Sequence, residues 1–195
     1  MGSIFETVLQ QLGGDTMKRI GTELGTDEQT AGSATAATVS TLLGALSRNA
    51  ADKNGAEALH RALAKDHDGS LLDNLSGFLG QAQQGPGEGI LRHVLGERRP
   101  QIESGIGRTS GLDSGSVSKL MTMVAPVVMA ALGKQQRSGG LESRGLANML
   151  GQERSALEQA QPQAMGLIGK LLDSDGDGDF DIKDGIGMLG KLFKR

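Results

Sequence analysis

The chain reads as all-α: a Gly-rich helical body of two related helical units, followed by a C-terminal helix–loop–helix. Three observations predict this. Apolar residues recur at three- and four-residue spacing almost throughout, and the alternation of strands is absent. Glycine fills 31 of 195 positions, whereas the aromatic residues are four Phe with no Trp or Tyr. Such a core must come from Leu, Val, Ile, Met and Ala, with Ala and Gly letting helices approach closely. The apolar pattern also restarts after a break at residues 81–89.

Taken in order, Ile4, Val8, Leu9 and Leu12 mark a first amphipathic helix that Gly13 and Gly14 end. Met17, Ile20 and Leu24 mark a second, stopped near Gly25. Thr26 or Asp27 caps a longer helix carrying Val39, Leu42, Leu43 and Leu46. Ala58, Leu59, Ala62 and Leu63 form the next stripe, and a short helix carries Leu71, Leu72, Leu75, Phe78 and Leu79. The run QAQQGPGEG at 81–89 reads as a linker.

Beyond it, Ile90, Val94 and Leu95 repeat Ile4, Val8 and Leu9 at an offset of 86. The same offset pairs Ile20 with Ile106, Gly25 with Gly111, Asp27 with Asp113 and Leu46 with Leu132. One residue of drift then sets Leu59 and Leu63 opposite Leu146 and Leu150, so the chain reads as a degenerate internal duplication. Asp113 or Ser114 caps the most apolar helix, and Pro126 inside it predicts a kink or a split. Its Met121, Met123 and Met129 fit core packing better than an adaptable binding groove.

The runs GLDSGSVSKLMTMVAPVVMAALGKQQ and GGLESRGLANMLGQE, with KDHDGSLLDNLSGFLG and GILRHVLGERRPQIESGIGRTSGL upstream, resemble the bacterial YidB-like family, domain-of-unknown-function family 937. The resemblance covers most of residues 1 to about 153. It implies an all-helical, Gly-rich bacterial domain and transfers no catalytic residue. By analogy it also suggests a homeodomain-like, nucleic-acid-binding arrangement. Lys119 is the only charge in the first half of the most prominent helix, which departs from a basic recognition helix.

Bulk chemistry narrows the remaining functions. A net charge of −3 leaves no footprint for nucleic-acid phosphates, so nucleic acid is not an expected partner. Without cysteine there are no disulfides, thiol nucleophiles or zinc thiolates. No signal segment is visible at the N-terminus, which sets a cytoplasmic expectation without excluding non-classical export. The apolar stretch Leu120–Leu132 is shorter than the ~20 residues a bilayer needs, so no membrane span is expected. His60, His67 and His93 fall in no nucleophile or zinc motif, and GIGRTSG lacks the ending of a phosphate loop, so no enzyme is expected. Arg92, Arg98 and Arg99 read as a small solvated basic cluster.

The sharpest chemistry lies at the C-terminus. In DSDGDGDFDIKD, Asp173, Asp175 and Asp177 alternate before Gly178, the spacing of an EF-hand or dockerin-type loop. Calcium takes roughly six to eight oxygens, and three alternating carboxylates in a tight loop converge on one point. Asp179 offers its backbone carbonyl, Asp181 reaches the ion through a water, and Asp184 closes the sphere in place of the usual bidentate Glu. That shorter arm leaves Mg²⁺ open beside Ca²⁺. Met165, Ile168 and Leu172 before the loop, and Ile182, Ile186, Leu189 and Phe193 after it, make flanking apolar stripes. Asp66 to Leu71 echoes part of the loop but lacks acids at its first and last positions, Ala64 and Leu75, and fits an Asp-capped turn better.

The expectation is therefore a calcium-binding, non-enzymatic protein: helical unit 1 at 1–80, a linker at 81–89, helical unit 2 at 90–155 and the calcium-binding segment at 156–195. Calcium would order or dock that last segment for structural purposes, for a protein partner or for self-association. The alternative is the homeodomain-like nucleic-acid module.

Overall fold

The computed structural model describes residues 2–160, and these are built from helices and turns without strands. The order is α1 (Ile4–Gln11), α2 (Asp15–Leu24), α3 (Glu28–Ala51), α4 (Lys53–Asp66), α5 (Leu75–Leu79), α6 (Gly87–Leu95), α7 (Arg99–Ser110), α8 (Ser114–Gly139) and α9 (Ser143–Ala160). Short 3₁₀ turns precede α5, α6 and α7.

The two long helices, α3 and α8, form the axis of the body. They pack on each other, and α1, α2, α4, α6 and α7 each lie against both or bridge onto one of them. Both are buried nearly all round over their middle sections, from Thr38 to Ser47 and from Leu120 to Gly133. That is why neither carries a narrow apolar stripe, and why Ala, Gly, Ser and Thr fill so much of α3: small side chains let several helices approach one axis. A single buried cluster draws on Ile4 and Leu43 at one end of the sequence and Leu91, Leu132 and Leu150 at the other.

The caps expected from the sequence are present. Asp27 caps α3 by accepting from Thr30 N, and Asp113 caps α8 by accepting from Gly115 N and Ser116 N. Gly25 and Gly111, 86 residues apart, close α2 and α7 in the left-handed region at φ 66° and 79°. Four residues earlier in each helix, Gly21 and Gly107 face the carbonyls of Thr26 and Leu112, which a Cβ would meet at 3.0 and 2.6 Å. The same helix–glycine–Asp cap–long helix sequence of events thus occurs in both halves.

Three local expectations change. Of the kink or split expected at Pro126, the split does not occur: α8 is continuous for 26 residues. Proline has no N–H to offer the Thr122 carbonyl one turn back. At that carbonyl α6 makes its close approach, since a Cβ on Gly87 would sit 2.1 Å from it. With α8 unbroken, it is long and apolar enough to cross a membrane, at mean hydropathy 1.5, although 78% of that window is buried inside the body. A core helix of this size and burial accounts for the apolar run. The run 81–89 is packed as well: Ala82 is buried, a 3₁₀ turn covers Ala82–Gln84, and α6 starts at Gly87. Finally, the short helix around Leu71–Leu79 is a 3₁₀ turn, Ser70–Asn74, running into α5, with Asn74 capping by accepting from Gly77 N.

Candidate functional site

The expected metal ligands Asp173, Asp175, Asp177, Asp179, Asp181 and Asp184 lie outside the described residues, as do the stripes from Met165 to Phe193. Among the described residues no group of three His, Asp or Glu is arranged to hold a metal ion. The Asp66–Leu71 echo shows why. Asp68 Oδ1 accepts from Ser70 N at 3.0 Å and from Ser70 Oγ at 2.5 Å, and Asp68 Oδ2 lies 3.5 Å from Arg137 Nη1. These bonds, Ser70's first, hold the Asp68 carboxyl below its usual range. Gly69 at φ 92° turns the chain against Lys134 of α8. The segment is a capped turn docked on α8.

Arg99 corrects the reading of a solvated basic cluster. Its guanidinium is mostly buried and grips Glu88 through both Nη atoms at 2.5 and 2.8 Å. Its Nε donates to Glu103 at 2.7 Å, and Nη2 also donates to Ser118 Oγ at 2.8 Å. Thr122 Oγ1 adds a bond to Glu88 at 3.0 Å. Bidentate geometry of this kind is what a planar guanidinium favours. The Arg99 hydrogen bonds pull the Glu88 carboxyl down to about 2. The cluster ties α6, α7 and α8 together around Gly87. Spacing alone could not reveal it, because Glu88 and Arg99 come from different helices and meet only after folding.

Two helix junctions that correspond by the internal offset differ in chemistry. Leu59, Leu63 and Asp66 of α4 stand at a constant offset of 87 from Leu146, Leu150 and Glu153 of α9. At the start of α1, the buried Glu153 carboxylate accepts from Phe5 N at 2.8 Å and from Ser3 Oγ. It satisfies an amide that α1 itself leaves unpaired, at the helix end where negative charge is favoured. That junction is closed.

The corresponding junction, between α4 and α6, is open. A groove of about 940 Å³ runs between them, floored by Leu46 of α3 and Met129 of α8 and walled by Leu59, Ile90 and Val94. Asp66 lines one end of it. No hydrogen bond joins Asp66 to α6 among the described residues. Asn49 Nδ2 donates to the Val94 carbonyl at 3.1 Å and pins α6 to α3 beside the groove.

The three histidines do not assemble a reacting centre. His60 Nε2 is 4.0 Å from Glu142 on the surface, and His93 Nδ1 is 2.7 Å from the Gly89 carbonyl of its own helix. His67 follows α4, half-buried at the groove, where burial lowers its basicity and Asp66 partly offsets that. Burial therefore favours the neutral imidazole.

No curated protein and no solved structure matches the chain. A family model does match, over residues 6–135, and its description is "Bacterial protein of unknown function (DUF937)". The matched span runs from α1 almost to the end of α8 and so takes in both axial helices, the Arg99 cluster and both walls of the groove. With two thirds of its length accounted for in this way, the chain belongs to the bacterial DUF937 family.

Proposed function

We propose that this YidB-like protein is a calcium-binding, non-enzymatic helical protein in which Ca²⁺ orders the C-terminal segment and docks it for a structural or protein-interaction role. The observation that carries the reading is the spacing of Asp173, Asp175 and Asp177 before Gly178, closed by Asp184. With six carboxylates in twelve residues and Lys183 the only base among them, the segment repels itself until a cation neutralises it. Metal binding and local folding are then one event, because unliganded carboxylates oppose the compact loop. Mg²⁺ competes at such a site to the extent that Asp184 gives one oxygen rather than two.

The body's make-up is consistent with a duplicated scaffold. The paired caps Asp27 and Asp113, and the paired left-handed glycines, support reading the two halves as copies of one helical unit. A scaffold of this kind supplies a fixed surface for a segment that orders on ion binding.

The test is titration calorimetry and circular dichroism of the full chain with CaCl₂, alongside Asp177→Asn. Saturable heat with a gain in helicity is expected, and Asp177→Asn weakens affinity by at least about tenfold because ligand charge count sets calcium affinity. Absence of heat and of any helicity change at millimolar calcium refutes the reading.

A further inference from the structure

We propose that the open groove between α4 and α6 is the seat for the chain's own C-terminal stripe, Ile182 to Phe193. This rests on the calcium reading above and names the surface on which the ordered segment docks.

Three observations select this occupant. The first is length. Ile182, Ile186, Leu189 and Phe193 fall at positions i, i+4, i+7 and i+11, the anchor pattern of a helix laid into a groove. At a rise of 1.5 Å per residue the stripe spans roughly 17 Å. The α4 wall, lined from Gly55 to Asp66, covers the same number of residues and so the same length.

The second is charge. From Ile182 to Arg195 the chain carries Lys183, Lys191, Lys194 and Arg195 against one acid, Asp184, which the calcium reading commits to the ion. Asp66 is the acid that lines the groove. The equivalent acid on α9, Glu153, is already bonded to α1, whereas Asp66 has no such partner from α6. The groove is the half of the pseudo-symmetric pair that still offers a carboxylate.

The third is reach. Twenty-one residues separate Ala160, the end of α9, from Ile182. The twelve of them ahead of the loop, 161–172, span up to about 40 Å when extended, comparable with a body of roughly 40 Å across expected for its size. The segment can therefore reach the groove without any extension of the calcium loop. The groove's floor, Leu46 and Met129, is aliphatic and thioether, and a flexible thioether accommodates an aromatic such as Phe193.

The chain has no cysteine, so an introduced pair is the only thiol chemistry present. The full chain is prepared as Ala58→Cys with Leu189→Cys, as Ile90→Cys with Leu189→Cys, and as a control with Arg108→Cys on the exposed face of α7 and Leu189→Cys. Ala58 and Arg108 are exposed and Ile90 is half-exposed, so all three pairs keep the body intact. Under mild oxidation at saturating calcium, at least one groove pair is expected to close within the monomer about tenfold faster than the control, from the effective concentration docking creates. Equal rates in all three pairs overturn the proposal. So does a product that is mainly a disulfide-linked dimer from the groove pairs, which would seat a second copy there instead. Calorimetry on the same proteins keeps the two readings apart. Calcium heat without preferential groove closure removes the groove and leaves the ion. Preferential closure without calcium heat does the reverse.

Discussion

Gly133→Ala is the sharpest test of how α4 and α8 meet. Gly133 lies in α8, with the end of α4 directly opposite. A Cβ built there would stand 1.6 Å from the His67 carbonyl oxygen and 2.9 Å from its carbon. Real Cβ atoms essentially never come within 3.0 Å, so α4 and α8 must part by more than an ångström. The obstacle is backbone, not the end of a flexible side chain, so it cannot rotate away. In an open helix the same change stabilises by about 0.5–1 kcal/mol. Overpacking a close contact costs about 1–3 kcal/mol, with backbone clashes at the upper end. The net expectation is a loss of about 2 kcal/mol, or about 4–8 °C in Tm for a chain of this length. Gly151→Ala in α9 is the control, because nothing lies within 4 Å of a Cβ there. It should gain about 0.5 kcal/mol or slightly more. Urea unfolding followed by circular dichroism measures both. If Gly133→Ala is as stable as the wild type, the close crossing of α4 on α8 is not as described, and the groove beside it loses its geometry.

Arg99→Ala should destabilise by about 1–2 kcal/mol, chiefly through the Glu103 carboxylate it leaves unpaired, since Glu88 is largely exposed and stays hydrated, seen as a lower urea midpoint at pH 7. Because the folded Glu88 carboxyl is held at about 2, below its ordinary value, the cluster's contribution is present above the unfolded carboxylate range and lost as pH falls toward 2. Wild type and Arg99→Ala should therefore converge in stability between pH 4.5 and 2, and a constant gap across that window would refute the pairing. Glu153→Ala should cost about 1–2 kcal/mol by freeing Phe5 N and Ser3 at the start of α1, with increased exchange of the α1 amides as the specific readout. Asp113→Ala should cost about 1 kcal/mol, the ordinary loss of an N-cap, measured by thermal unfolding.

Much of the helical order was legible because it rests on local rules. Asp27 and Asp113 cap, and Gly25 and Gly111 stop, for reasons contained within a few residues of each. The run 81–89 is rich in Gly and contains Pro86, residues that favour turns, while Ala82 and Gly87 within it are small enough to be buried in the body. Arg99 misled because its neighbours in sequence, Arg92 and Arg98, suggested a basic patch, while its actual partners come from α6, farther along α7 and α8.

The sequence by itself determined the all-α class, the caps and stops, the recurrence at 86 residues and the alternating carboxylates of Asp173–Asp184, since each depends on spacing along one stretch of chain. Tertiary structure alone decided that α8 runs through Pro126, that Glu153 closes one helix junction, and that its counterpart at Asp66 stands open. Those outcomes depend on which backbone groups two distant helices bring together. Whether a freed carbonyl, an orphan amide or a buried carboxylate finds a partner is settled by packing, and no periodicity encodes it.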